Sequence, residues 1–237
     1  MTRRAIVLAL VLVLGPLPGR AGEVPRAADV VRSGPPGCRA VAFTFDLCPV
    51  RDPVGFDAPL IDALRTRGIP ATFFASGRWI ERHDAQVREL LAVPFFELET
   101  HGERHRHLPS LDWAAQRVEI EEPVSFLRAH YGYSATLFRP PYGEYDQTTL
   151  AVAHEIGLRP VLWSAVSGDP APHVTAARML AALRPAVRDG GIVIFHANGR
   201  GHHTREVVEI LHDELAGKGY RFATVTGLLS CSGAGKP

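Results

Sequence analysis

The stretch RAVAFTF, residues 39–45, followed at once by Asp46, decides the fold. It is short, apolar and rich in aromatics, as a strand buried on both faces must be. The same kind of run recurs downstream between helical patterns. Leu60, Ile61 and Leu64 make a helical face that stops at Gly68, and ATFFA (71–75) is the next strand. Trp79, Ile80, Val87, Leu90 and Leu91 predict a helix before the strand FFELE (95–99). Another helix runs on from Ser110 with Trp113, Val118 and Phe126 inside it, and Pro123 in its middle is expected to kink or split it. Then come a strand near ATLF (135–138), a helix around 146–156 and a strand RPVLW (159–163). A helix over 174–188, the strand IVIF (192–195), a helix over 204–217 and the strand YRFATV (220–225) complete the pattern. Buried strands alternating with helices predict an α/β fold with a parallel sheet. About seven or eight such units in roughly 200 residues predict a closed or nearly closed βα barrel. An open doubly wound sheet is the alternative.

The chain has 237 residues, 46% hydrophobic and 22% charged, with a formal net charge of +1. That much apolar surface offsets chain entropy and excludes a disordered protein. The near-neutral balance argues against a nucleic-acid partner, which needs a basic face.

Residues 1–22 read MTRRAIVLALVLVLGPLPGRAG. A basic start (Arg3, Arg4), an apolar run from Ala5 to Leu14 and small residues beyond predict a secretory signal peptide, cut after Ala21. The run is short of the ~20 apolar residues that span a bilayer. Removing 1–21 takes away three arginines and no acid, so the balance moves from +1 to −2. The expected organisation is a signal peptide (1–21), an N-terminal extension (22–38), one catalytic-type domain (39–230) and a C-terminal tail (231–237). The expected location is periplasmic or secreted, with no stable membrane span after cleavage. Export permits disulfides. Cys38 and Cys48 bracket one strand and lie roughly 33 Å apart when extended, beyond the roughly 7 Å that a bridge tolerates. A bridge therefore uses Cys231 with one of the other two; three free or buried thiols are the alternative.

Parallel βα folds build their sites at the carboxyl ends of the strands. Here those ends carry Asp46, then His101 and His105, then Arg139-Pro140-Pro141-Tyr142-Gly143, then a loop with Asp169, then His196. One buried acid or histidine is commonplace; such residues at several strand ends are not. His101 and His105 are four apart, which on a helical turn puts both rings on one face to share a divalent metal. The acid between them, Glu103, is at the third position, so this is not the HExxH pattern of metalloproteases.

Thr44-Phe45-Asp46, His101-Gly102-Glu103-Arg104-His105, Arg139-Pro140-Pro141-Tyr142 and the strand ending in His196 together resemble the ordered motifs of polysaccharide deacetylases, the NodB-homology group or carbohydrate esterase family 4. The likeness extends over residues 39–227. It implies a distorted βα barrel and a hydrolase that removes an N-acetyl or similar acyl group from an amino-sugar polysaccharide. By resemblance Asp46 is the general base, Arg139 orients it, and His101 and His105 hold a divalent metal, zinc first. The Tyr142 backbone N–H then supports the oxyanion, His196 is the general acid, and Asp169 holds and charges His196. The implied partner is an N-acylated glycan or cell-envelope polysaccharide.

The chain departs from the pattern in two places. Leu47 stands where the family has a second aspartate, its third metal ligand. Val166 and Pro170 replace the first acid and the tryptophan of the fourth motif. Asp46, Cys48 and His107 are near enough in sequence to complete the metal site; two histidines with water are another solution. A metal-independent hydrolase of a small linear or cyclic amide, or a non-catalytic carbohydrate-binding relic, are the competing functions. In the loop after His196, Arg200, His202 and His203 are candidates to line a cleft, and Thr204 is expected to cap the following helix.

Overall fold

The computed structural model describes residues 29–49 and 55–231. The expected signal peptide, residues 22–28 of the extension and residues 232–237 of the tail lie outside the described residues.

Every side chain of β1 (Ala40–Leu47) is buried, as a strand covered on both faces requires. Its parallel neighbours are β2 (Ala71–Ala75) and β7 (Gly191–His196). Around them the order is β5 (Arg159–Pro160), β4 (Leu137–Phe138), β3 (Phe96–Thr100), β2, β1, β7, β6 (Ala165–Val166). A last short strand, β8 (Arg221–Phe222), pairs with the start of β1. Sequence neighbours are thus neighbours around the ring, which excludes the doubly wound alternative. The sheet path ends at β5 and β6, so the barrel is nearly closed. The N-terminal segment spans that opening, with Val31 bridged to Val161 and Ser33 to Gly191.

Strand alternation sorts the core into two layers. Phe43, Phe45, Leu47, Phe73, Leu98, Val193 and Phe195 turn outward into the cluster under the helices. Ala40, Ala42, Phe74, Leu137, Val161 and Ile192 turn inward. The inner layer is completed by Val225 and Leu228 of a short helix, residues Val225–Leu229, that plugs the amino end of the barrel. The sequence reading placed a strand over this region. The strand stops early because Thr224 accepts a hydrogen bond from the Gly227 N–H and starts a helix. A Cys38–Cys231 disulfide fastens the plug to the entry of β1, with Cα atoms 6.0 Å apart, and leaves Cys48 as a buried free thiol.

Seven longer or more central helices cover the outside: α1 (Ala58–Thr66), α2 (Gly77–Arg82), α3 (Asp84–Leu91), α4 (Trp113–Tyr131), α5 (Gln147–Ile156), α6 (Ala176–Ala186) and α7 (Thr204–Gly217); the plug is α8. Two differ from the sequence reading. The helix expected before β3 is broken at His83 (φ −128°, ψ 45°), whose ring stacks on Trp79 and bonds its carbonyl at 2.8 Å. Pro123 does not split α4, which runs through it. An interior proline costs about 3 kcal/mol. Ile120, Val124 and Leu127 are buried on either side of it, and each contributes about 1.5–3 kcal/mol, so packing wins. Among the described residues no helix is long and apolar enough to cross a membrane.

The disulfide closes a loop of 193 residues in sequence separation. Cys231→Ser is expected to lower unfolding free energy by about 2–5 kcal/mol in a urea titration. A change below about 0.5 kcal/mol would show that the plug is held by packing alone.

Candidate active site

The inward parity that places Ala42 and Phe74 in the lower barrel places Asp46 and His196 at its upper rim. They are direct partners in the β1–β7 register. Arg139 follows β4, its backbone N–H bonded to the Thr100 carbonyl at 2.9 Å. Its guanidinium has no exposed surface. It donates to Asp46 Oδ1 at 2.7 Å, to Thr44 Oγ1 at 2.9 Å and to the Leu162 carbonyl at 3.2 Å, over the face of Phe74 at 4.0 Å. Its Nε is buried without a partner.

The histidine pair lies in a loop and not on the helical turn that the spacing suggested. The rings still meet, 4.8 Å between centroids and 74° apart, because His105 takes a left-handed backbone (φ 59°). Other elements hold this unusual path. The first amides of α2 donate to it, Gly77 to the Gly102 carbonyl at 2.9 Å and Arg78 to the Glu103 carbonyl at 3.0 Å. The Glu119 carboxylate accepts the Arg104 N–H at 2.9 Å. Gly77 is obligatory, since a Cβ there would stand 1.7 Å from Glu103 Oε2. His101 Nδ1 bonds the Arg139 carbonyl at 2.7 Å. A carbonyl only accepts, so Nδ1 carries the proton and Nε2 presents its lone pair. That Nε2 is buried, 3.4 Å from Asp46 Oδ2, and has no hydrogen-bond partner.

Across the cavity, Asp169 is fully buried and accepts four hydrogen bonds. His196 gives two, from Nδ1 at 2.9 Å and from its backbone N–H at 2.7 Å. Ser167 and Thr204 hydroxyls give the others, each at 2.9 Å. Thr204 is therefore not the cap of α7; His203 occupies the cap position. Tyr142 sits on the rim with a left-handed backbone (φ 61°), 53% exposed. The turn's own bonds use the next two amides, Gly143 to the Pro140 carbonyl and Glu144 to the Pro141 carbonyl. These groups surround a cavity of about 270 Å³, which Arg200 also reaches. His202 and His203 are exposed. A larger groove of about 720 Å³ beside Val31 and α5 holds no such convergence of groups.

Environment separates the two central groups. Burial alone would raise the Asp46 carboxyl, but the Arg139 charge, with His101 and His196, holds it below 3.8. Burial alone would lower His196, but the hydrogen bond and charge of Asp169, and then Asp46, raise it above 6.5. Burial, then the adjacent His101, drives His105 down to about 3. Burial and the Asp46 charge push the Cys48 thiol up, so it is no free thiolate nucleophile.

All seven residues singled out by sequence (Asp46, His101, His105, Arg139, Tyr142, Asp169 and His196) come to this one cavity or its wall. Of the three residues considered for completing the metal site, His107 turns away: it stacks on Tyr142 at 4.0 Å and bonds Glu144 at 2.7 Å. The sequence reading missed Ser167 and Thr44 as supports, and missed Thr204 in that role. Thr44 had a signal, because strand parity puts it on the face of Asp46; Ser167 and Thr204 had none.

A polysaccharide deacetylase family model matches residues 33–161. An uncharacterised protein of Streptomyces coelicolor is 35% identical over 148 residues, 62% of this chain and 55% of that protein. A chitooligosaccharide deacetylase of Bradyrhizobium is 30% identical over 163 residues, 68% of this chain and 71% of that protein. A crystal structure of a peptidoglycan N-acetylglucosamine deacetylase superposes with a TM-score of 0.78 at 25% identity, covering 86% of this chain and 94% of that one. The chain spans about half the length of the Streptomyces coelicolor relative and of an uncharacterised Bacillus subtilis relative, 55% and 52%. The chain belongs to the polysaccharide deacetylase family, and its barrel is of that family's type.

The raised His196 pKa depends on the Asp169 charge. In Asp169→Asn the imidazole titration followed by NMR is expected to move down. A midpoint that stays in place would show that Asp169 only packs against the ring.

Proposed function

We propose that this family member hydrolyses the N-acetyl, or similar acyl, amide of an amino sugar in an exported or cell-envelope polysaccharide. One observation carries the reading. A carboxylate whose pKa a buried arginine lowers and an imidazole whose pKa a buried aspartate raises are register partners at one cavity. Acid and base chemistry at neutral pH needs that separation of pKa values.

Asp46 takes a proton from water as the water oxygen bonds to the acyl carbon. Negative charge grows on the acyl oxygen, where the Tyr142 backbone N–H is the donor on offer. His196 gives its proton to the amide nitrogen as the C–N bond breaks. The product acid gives its remaining proton to the amine, leaving a carboxylate and an ammonium sugar, and the proton held by Asp46 passes to His196, which restores both groups. Arg139 keeps Asp46 ionised and fixes its direction; Asp169 fixes the His196 tautomer.

The lone pair of His101 Nε2, buried and unpartnered beside His105, fits a divalent cation. His101 and His105 would hold it, zinc first because imidazole suits that ion. When bound it supplies Lewis acidity, which lowers the pKa of water and polarises a carbonyl. The Arg3-Arg4 start and the apolar run Ala5–Leu14 support export to the periplasm or medium, where such polymers are found.

Acetate release is expected from N-acetylated glycans supplied with zinc, cobalt or manganese, and Asp46→Asn is expected to slow it by about 10²–10⁴-fold. No acetate with any of these ions rejects the proposal. Activity that survives full chelation rejects its metal part and favours the small-amide hydrolase. Glycan binding without turnover favours the relic.

A further inference from the structure

We infer that Cys48 is the third protein ligand of the metal site, so that a Cys48–His101–His105 set replaces the acid that Leu47 lacks. The inference rests on the reading that His101 and His105 hold a divalent ion.

The substitution is a shift of one residue along β1. Leu47 is fully buried and packs in the outward cluster with Phe45, Ala75 and Trp79. The next residue comes back to the cavity. Ligand atoms of Cys48, His101 and His105 all lie within 4.8 Å of one another. The Cys48 backbone is held in place from the carboxyl end of the neighbouring parallel strand β7, where the Asn198 amide donates to its carbonyl at 3.0 Å.

The second observation is the buried His101 Nε2. With Nδ1–H given to the Arg139 carbonyl, its lone pair accepts no hydrogen bond and lies 3.4 Å from an Asp46 oxygen, in one group with a sulfur and a second imidazole. A buried lone pair left unpaired among ligand atoms describes a cation site. Of the competing ligands, Asp46 has Oδ1 held by Arg139, and its ligand atoms group with Cys48 and His196, not with the His101–His105 pair. His107 is exposed and bonded to Glu144. Cys48 is also the cysteine that the disulfide leaves free.

A thiolate keeps the negative charge that a carboxylate ligand brings, and its softness changes the choice of ion. Two imidazoles and a thiolate favour zinc or cobalt over manganese or magnesium, which prefer oxygen.

The test is metal binding to the full chain, separate from turnover. Cobalt-loaded protein is expected to show a thiolate-to-cobalt charge-transfer band in the near ultraviolet. Cys48→Ser is expected to lose that band and to bind zinc at least ~10-fold more weakly. Cys48→Asp is expected to recover zinc binding without the band. His101→Ala is the control for the underlying reading. If His101→Ala loses zinc while wild type shows no band, or Cys48→Ser keeps wild-type affinity, the Cys48 assignment is overturned and the histidine pair stands. If His101→Ala binds zinc like wild type, the pair and the inference fall together. Should Cys48→Ser not fold, the presence or absence of the band in wild-type protein decides by itself.

Discussion

A guanidinium with no surface in water must be neutralised, and Arg139 is neutralised by Asp46 at 2.7 Å. Breaking a buried pair on one side costs about 3–5 kcal/mol, because the other charge is left stranded. That constraint reaches further than two residues. The same arginine, through its main-chain carbonyl, orients His101. Through its second amino group it meets Thr44 one turn of parity below Asp46. One residue thus couples Asp46 to His101, and neither can rotate independently.

The other half of the cavity repeats the logic with the signs reversed. Asp169 is the buried charge, and it is satisfied by His196, Ser167 and Thr204 from three elements. Both halves obtain their precision from the barrel and not from the loops that carry them. β1 and β7 place Asp46 beside His196 by register, and the start of α2 clamps the strained segment that carries His105. The floor beneath joins the apolar inner cluster to a buried Thr72–Glu97 pair that accepts the Val225 and Thr226 N–H groups of the C-terminal plug.

Most of the barrel was legible because buried parallel strands are written as continuous apolar runs. ATFFA (71–75) and the helix at 204–217 appear with the predicted bounds. The misses have local causes. At His83 a ring stacking on Trp79 ends a helix that periodicity alone would continue. At Pro123 packing outweighs an unfavourable residue. At Thr224 a side-chain cap overrides a β-rich composition. The site was legible to a similar depth: its residue types stood at strand ends, while the supports for Asp169 came from segments with no mark of their own.

The amino-acid sequence by itself determined the alternation of strands and helices and the chemistry offered at each strand end. Those are properties of residue order and side-chain type. Only the tertiary structure decided that Cys48 returns to the cavity, that His107 leaves it, that His105 joins His101 without a helix and that Cys38 pairs with Cys231. Each of these depends on backbone direction and on which distant group fills the remaining space, and neither quantity exists until the chain has packed.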